Sequence, residues 1–323
     1  MKFERFIAVF FMLNVVLMIA AAFSAKNETV SSAMADIIYG KKVAQDYFTL
    51  TPAELQKQGF KTDAPDDIER SMSDIFENTY IKRSMIKDLE PLPPYERAVA
   101  IVKLFSLMGD GKCLTGLHIK DKINKAASKE GCAKDFAEIF TLLAQYAGLN
   151  VRMVSNGTHW GAEIFDGVKW IYIDPYFAMS AAEQDHRMSY LEFSKAMLSN
   201  GWMRFEQFGG ENHCLNGKDA AGLPYFKDAK SFAEVYSLNG NNVLELNRTE
   251  RRLHNRLLIV RKLMQYGMGA PEPVYTDIGD SGAALIRKYV TGLLALLAVL
   301  FISADVILPV YYLSGLFMRL TKK

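Results

Sequence analysis

The sequence predicts an α+β fold in which a long helix packs on an antiparallel sheet, and three observations predict it. From Cys132 onward, Cys132, Phe136, Ile139, Phe140, Leu143 and Ala147 fall on one helical stripe, and Gly148 sits where a C-terminal cap belongs. Lys134, Asp135, Glu138, Thr141 and Gln145 fill the other side of that helix. Residues 161–165 and 170–174 flank Asp166-Gly167, a hairpin signal. A further helix over 95–108 carries Ala98, Ile101, Val102, Phe105 and Met108 as an apolar stripe suited to lie under the Cys132 helix.

The hairpin register brings chemistry together. With Phe165 opposite Trp170, antiparallel counting pairs Glu163 with Tyr172 and Gly161 with Asp174. Alternation then puts His159, Gly161 and Asp174 on one face, with His159 a diagonal neighbour of Asp174 at roughly 7–8 Å between backbones. Gly161 is expected to leave room for the imidazole. A slip of one residue would undo this arrangement. Cys132 lies in the first helical turn, where unpaired N–H groups and the helix dipole favour a thiolate. A thiolate, an imidazole and a carboxylate are the parts of thiol acyl transfer. Cys132 would attack a carbonyl, His159 would move protons, and Asp174 would fix the ring's tautomer. A backbone N–H at the helix start is a candidate oxyanion donor.

Gly131-Cys132 followed by Phe136-Ala137 and Ala147-Gly148 resembles the nucleophile helix of the transglutaminase-like superfamily. His159, Glu163, Gly167, Trp170 and Asp174-Pro175 are similar to that family's histidine strand, hairpin and aspartate strand. The family often carries a tryptophan two residues after the histidine. Here Trp160 comes one residue after it and Gly161 holds the second place. The resemblance implies a papain-like α+β core, with Cys132 as nucleophile, His159 as base and Asp174 as orienter. It implies a protein or peptide amide as substrate, with water or an amine as acceptor.

Composition excludes other classes. The chain has 323 residues, half of them hydrophobic, and a net charge of +2, so no polyelectrolyte partner is indicated. No zinc spacing or strongly basic domain argues for nucleic acid. No GxGxxG or P-loop pattern argues for a nucleotide cofactor, and none is expected. Cysteines are three: Cys113, Cys132 and Cys214. With Cys132 as nucleophile, Cys113 and Cys214 are either a pair in an oxidising compartment or two unrelated thiols. Glu211 and His213-Cys214 lack a second ligand pair, so no metal is expected.

The rest of the chain reads as flanking structure. Residues 1–25 hold an apolar run from Phe6 to Phe23, read as a membrane anchor or a cleaved signal peptide. Residues 26–95 form a helical N-terminal region, with helix starts at Thr51-Pro52-Ala53-Glu54 and Ala64-Pro65-Asp66-Asp67. Residues 96–245 are the transglutaminase-like domain, and 246–288 a basic amphipathic helix and linker. In 246–264, Leu246, Leu253, Leu257, Val260 and Met264 oppose Arg248, Arg251, Arg252, Arg256 and Lys262. That face suits anionic headgroups, an acidic polymer, a protein partner or plain solvent. Residues 289–314 read as a second membrane span interrupted by Asp305, a candidate contact with a membrane-protein or polysaccharide-assembly partner, and 315–323 as a basic cytoplasmic tail. Together these place an exported domain on the cytoplasmic membrane of a bacterial envelope. The expected function is a transglutaminase-like cysteine protease, amidase or acyltransferase. The alternative is a non-catalytic scaffold of an envelope or exopolysaccharide assembly.

Overall fold

The computed structural model describes residues 45–58, 60–105, 108–155, 159–199, 201–209, 213–216 and 237–254, with single helical positions at Phe10, Met12, Asn14, Leu293, Leu296 and Ser303. The chain divides into one unit of Met1–Lys41, Leu258–Ala270 and Gly282–Lys323, and another of Lys42–Leu257 and Pro271–Ser281. The elements that follow belong to the second unit.

A 3-10 turn, Gln45–Phe48, precedes α1 (Pro52–Lys57). The start of α1 is fixed as its sequence predicts. The Thr51 hydroxyl accepts from the Glu54 N–H at 3.4 Å, and the Glu54 carboxylate accepts the Thr51 N–H at 2.8 Å. Then come α2 (Pro65–Asn78), α3 (Arg83–Lys87), α4 (Pro94–Phe105), α5 (Ile119–Ala127) and α6 (Ala133–Tyr146). Both α2 and α4 open on proline, whose fixed φ suits the first turn. Cys132 is the N-cap of α6, and Gly148, at φ +76°, follows its C-cap.

The strands are β1 (Val151–Ser155), β2 (Trp160–Phe165), β3 (Trp170–Asp174), β4 (Met179–Glu183), β5 (His186–Arg187), β6 (Trp202–Gln207), β7 (His213–Asn216) and β8 (Ser237–Asn239). Helix α7 (Tyr190–Ser199) follows β5, and α8 (Val243–His254) follows β8. They form one antiparallel sheet in the order β7-β6-β4-β3-β2-β1-β8, with β5 beside β4. In β2–β3, Phe165 faces Trp170, Glu163 faces Tyr172 and Ala162 faces Ile173, the register that the hairpin signal predicts.

Alternation gives each face of the sheet its own core. Met153, Ala162, Ile164, Ile171 and Ile173 pack with Met72, Ile101, Phe105, Ile123, Phe136 and Phe140 from the helices. Val154, Trp170, Tyr172, Met179 and Ala181 pack on the other face with Tyr190, Phe193 and Met197 of α7. Helix α6 is buried nearly all round, unlike the half-exposed helix expected, because Asp135, Glu138 and Thr141 are covered too. The cause is Lys122 of α5. It is fully buried, and its ammonium lies 2.8 Å from Asp135, 2.8 Å from Glu138 and 3.3 Å from Glu250 of α8. Burial works against the charge of Lys122, but Glu138, Asp135 and Glu250 outweigh it and hold the ammonium's pKa above its ordinary value.

One part of the expected fold is corrected. The sequence reading added two membrane segments to the α+β core, but among the described residues no helix is long and apolar enough to cross a membrane. The described helices run from 5 to 14 residues. A span needs about twenty apolar residues, and fourteen rise only about 21 Å. The two stretches assigned as spans, Asp305 and the tail 315–323 lie outside the described residues apart from the single positions named above. Of the expected basic helix 246–264, α8 covers the first part and begins three residues earlier. Leu246 and Asn247 are buried, Arg248 is exposed, and the positions beyond His254 lie outside the described residues.

Candidate functional site

Asp174 ends β3 with no exposed surface, and the chain that follows closes around it. Pro175 prevents the strand from continuing in register, and the backbone turns back on the carboxylate. Asp174 Oδ1 accepts the N–H groups of Tyr176 and Phe177, each at 3.0 Å. Its Oδ2 accepts the Tyr172 hydroxyl at 3.2 Å and meets His159 Nε2 at 2.7 Å. A buried carboxylate with four donors is an anchored acceptor, which is what orienting an imidazole requires. The His159 ring stacks on Phe177 at 5.2 Å between centroids, nearly parallel at 13°, and stands edge-on to Tyr176 at 6.3 Å. Its side chain keeps 11% of its surface exposed, so the pair reaches solvent from the imidazole side.

Gly161 makes room for a ring, but the ring is not the imidazole. A Cβ at position 161 would lie 2.6 Å from Tyr172 Cε2 and 2.9 Å from its hydroxyl. Tyr172 therefore occupies the space that the sequence reading assigned to His159, and it uses that space to reach Asp174. Burial, with Asp174 beside it, pushes the Tyr172 hydroxyl well above its ordinary pKa, so it remains a donor. The hairpin is anchored behind the site by the fully buried Arg152–Glu163 pair. Arg152 Nε meets Glu163 Oε2 at 2.7 Å, the guanidinium lies 3.9 Å from the Trp170 ring, and Glu163 Oε1 accepts the Tyr190 N–H at 2.8 Å.

The sulfur of Cys132 is placed differently from the expectation. It is bonded to Cys113, with a Cα–Cα distance of 4.6 Å, while Cys214 is a free, exposed thiol. The pairing of Cys113 with Cys214 considered from the sequence is thereby replaced. The Cys132 N–H, a candidate oxyanion donor, is given to Asp135 Oδ2 at 3.0 Å. The loop holding Cys113 is tied to the same helix start. Gly111 donates its N–H to Gly131 O at 3.0 Å, Asp110 Oδ1 accepts the Gly131 N–H at 3.1 Å, and Leu114 donates to Asp135 Oδ2 at 2.9 Å. Backbone approach there is close enough to demand glycine, since a Cβ on Gly109 would lie 2.2 Å from Gly131 O.

Tyr176 links the helix start to the histidine–aspartate pair. Its ring packs edge-on against Phe136 of α6 at 5.2 Å, and its hydroxyl donates to Gly109 O at 2.8 Å. The structure thus brings His159 and Asp174 into direct contact and gives the Cys132 sulfur to Cys113. Sequence reasoning missed Tyr172, Tyr176, Asp135 and Asp110 as parts of the site. Two of them had local signals: Tyr176 sits two residues after Asp174 in a turn, and Asp135 lies at the third position of a helix capped by Cys132.

Cavities also lie elsewhere among the described residues. One, of about 350 Å³, is lined by Arg70, His118, Lys120, Arg248 and Arg251 among others; one of about 520 Å³ lies by Thr51, Phe60, Asn150 and Trp170. Cys113, Cys132 and Asp135 carry donor atoms within 4.8 Å of one another. Both sulfurs are spent in the disulfide, and Asp135 is already committed to Lys122 and two N–H groups, so the trio does not fit a metal. Comparison with known proteins found no match among family models, curated proteins or solved structures.

Proposed function

We propose that the chain is a thiol acyl-transfer enzyme of transglutaminase-like type, acting on an amide bond through Cys132, His159 and Asp174. The observation that carries this reading is the 2.7 Å contact between His159 Nε2 and the buried Asp174 carboxylate. With Nε2 committed to Asp174, proton transfer falls to Nδ1. The reduced Cys132 thiol gives its proton to His159, and the thiolate attacks the amide carbonyl. The C–N bond breaks as His159 returns the proton to the leaving amine, which leaves a thioester on Cys132. Water or an amine, deprotonated by His159, then attacks the thioester and restores the thiol. Asp174 holds the imidazole and stabilises its charged form throughout. The disulfide supports placing the domain in an oxidising, extracytoplasmic compartment.

A second reading, a non-catalytic component of an envelope assembly, is favoured by one observation. The Cys132 sulfur and the Cys132 N–H are both already occupied. The deciding experiment is alkylation of the dithiothreitol-reduced protein by iodoacetamide as a function of pH, in wild type, His159→Ala and Asp174→Ala. The enzyme reading expects Cys132 to react well below the ordinary thiol pKa of about 8.5, and both variants to lose that reactivity while staying folded. A Cys132 that titrates like a free thiol in all three proteins would leave the structural reading.

A further inference from the structure

We propose that Cys113 is the site at which a dithiol reductant enters, and that thiol–disulfide exchange there liberates Cys132 as the reactive thiolate. The proposal rests on the reading of Cys132 as the nucleophile of the triad. Its first support is the asymmetry of the two sulfur positions: Cys113 is exposed, whereas Cys132 retains 7% of its surface. An incoming thiolate therefore reaches the Cys113 sulfur first. Its second support is the identity of the leaving group. Cys132 caps a 14-residue helix whose N-terminus stabilises negative charge, and a thiol of lower pKa leaves faster. The Asp135 carboxylate nearby is offset by the Lys122 ammonium at 2.8 Å.

The exchange balances. A reductant thiolate bonds to Cys113 Sγ, the Cys113–Cys132 bond breaks, and its electron pair leaves on Cys132 as thiolate. The reductant's second thiol, as thiolate, attacks the reductant sulfur in the mixed disulfide and expels Cys113, which takes up a proton. The dithiol is oxidised to a disulfide by two electrons, and the cystine becomes two thiols.

The surroundings favour a gate over a staple. The loop of Cys113 is already fastened by the Gly111–Gly131, Asp110–Gly131 and Leu114–Asp135 hydrogen bonds, and by the Tyr176 hydroxyl on Gly109. Breaking the sulfur bond frees the nucleophile and leaves the loop in place, so Cys113 stays within reach for reoxidation. In an oxidising compartment the site rests closed, and a dithiol opens it.

The test uses the full chain, with iodoacetamide labelling read by mass spectrometry and Cys214, the exposed thiol, as internal standard. Untreated wild type is expected to label at Cys214 alone, and to gain both Cys113 and Cys132 after dithiothreitol with its circular dichroism unchanged. With glutathione and iodoacetamide added together, the glutathione adduct is expected on Cys113 and the alkyl group on Cys132. Cys113→Ser, with Cys113→Ala as second variant, is expected to label at Cys132 without reductant, where untreated wild type does not. Labelling of Cys132 in untreated wild type, or a glutathione adduct on Cys132, overturns the gate and leaves the triad standing. Unfolding of wild type on reduction overturns it in favour of a staple. If Cys132 freed in Cys113→Ser reacts equally with and without His159, the triad reading itself fails, and the gate with it.

Discussion

Gly161→Ala tests the packing that supports the His159–Asp174 pair. Gly161 is not among the positive-φ glycines, so its backbone accepts an alanine, and the smaller unfolded-state entropy would by itself stabilise the fold by about 0.4–1 kcal/mol. Any loss must therefore come from contact. The new Cβ lies 2.6 Å from Tyr172 Cε2, so the ring must retreat by nearly 1 Å. It has little space to do so. Tyr172 is fully buried, stacked on Phe193 at 5.2 Å and tilted against Tyr190 at 5.2 Å. Overpacking of this kind costs about 1–3 kcal/mol, and loss of the hydroxyl bond to the Asp174 carboxylate adds about 1.5–3 kcal/mol. The expected net loss is about 1.5–5.5 kcal/mol, measured as a shift of the urea midpoint at constant slope. In a Tyr172→Leu background the same alanine should cost almost nothing, because the clashing ring is gone. A Gly161→Ala protein within about 0.5 kcal/mol of wild type, or an equal cost in both backgrounds, would refute the argument.

Two further predictions concern buried charge. Lys122→Met leaves Asp135, Glu138 and Glu250 without their shared ammonium, and is expected to cost about 3–5 kcal/mol in urea unfolding. A loss under about 1 kcal/mol would show that the cluster contributes little. Asp63, which accepts the Leu244 and Glu245 N–H groups at the start of α8, is pushed up to about 6 by burial. An unfolded aspartate releases its proton near 3.9, so between these values the folded state holds more protons and stability falls as pH rises. Relative to Asp63→Asn, wild type should lose about 2–3 kcal/mol between pH 4 and pH 6. Parallel pH profiles for the two proteins would contradict the assignment.

The sequence by itself determined what depends on local periodicity. Thr51 and Glu54 carry their own capping geometry within one turn. The stripe from Phe136 to Leu143 requires a helix. Asp166-Gly167 joins two strands whose side chains repeat every two residues, so a tight turn at that point leaves one register, and that register delivers His159 to Asp174. The tertiary structure alone decided what depends on residues far apart in the chain. Cys113 meets Cys132 because the 109–114 loop returns to Gly131 through backbone bonds that no side-chain pattern announces. Asp135 and Glu138 fall on the side of their helix away from the apolar stripe, yet Lys122 and Glu250, from two other helices, meet them there and leave Lys122, Asp135 and Glu138 buried. Gly161 read as space for the nearest functional ring, but Tyr172 lies diagonally across the strand pair with its hydroxyl pointing at the same carboxylate, and it occupies that space. Periodicity tells a chain which face to bury. Which neighbour then fills that face depends on packing among segments that the sequence does not place side by side.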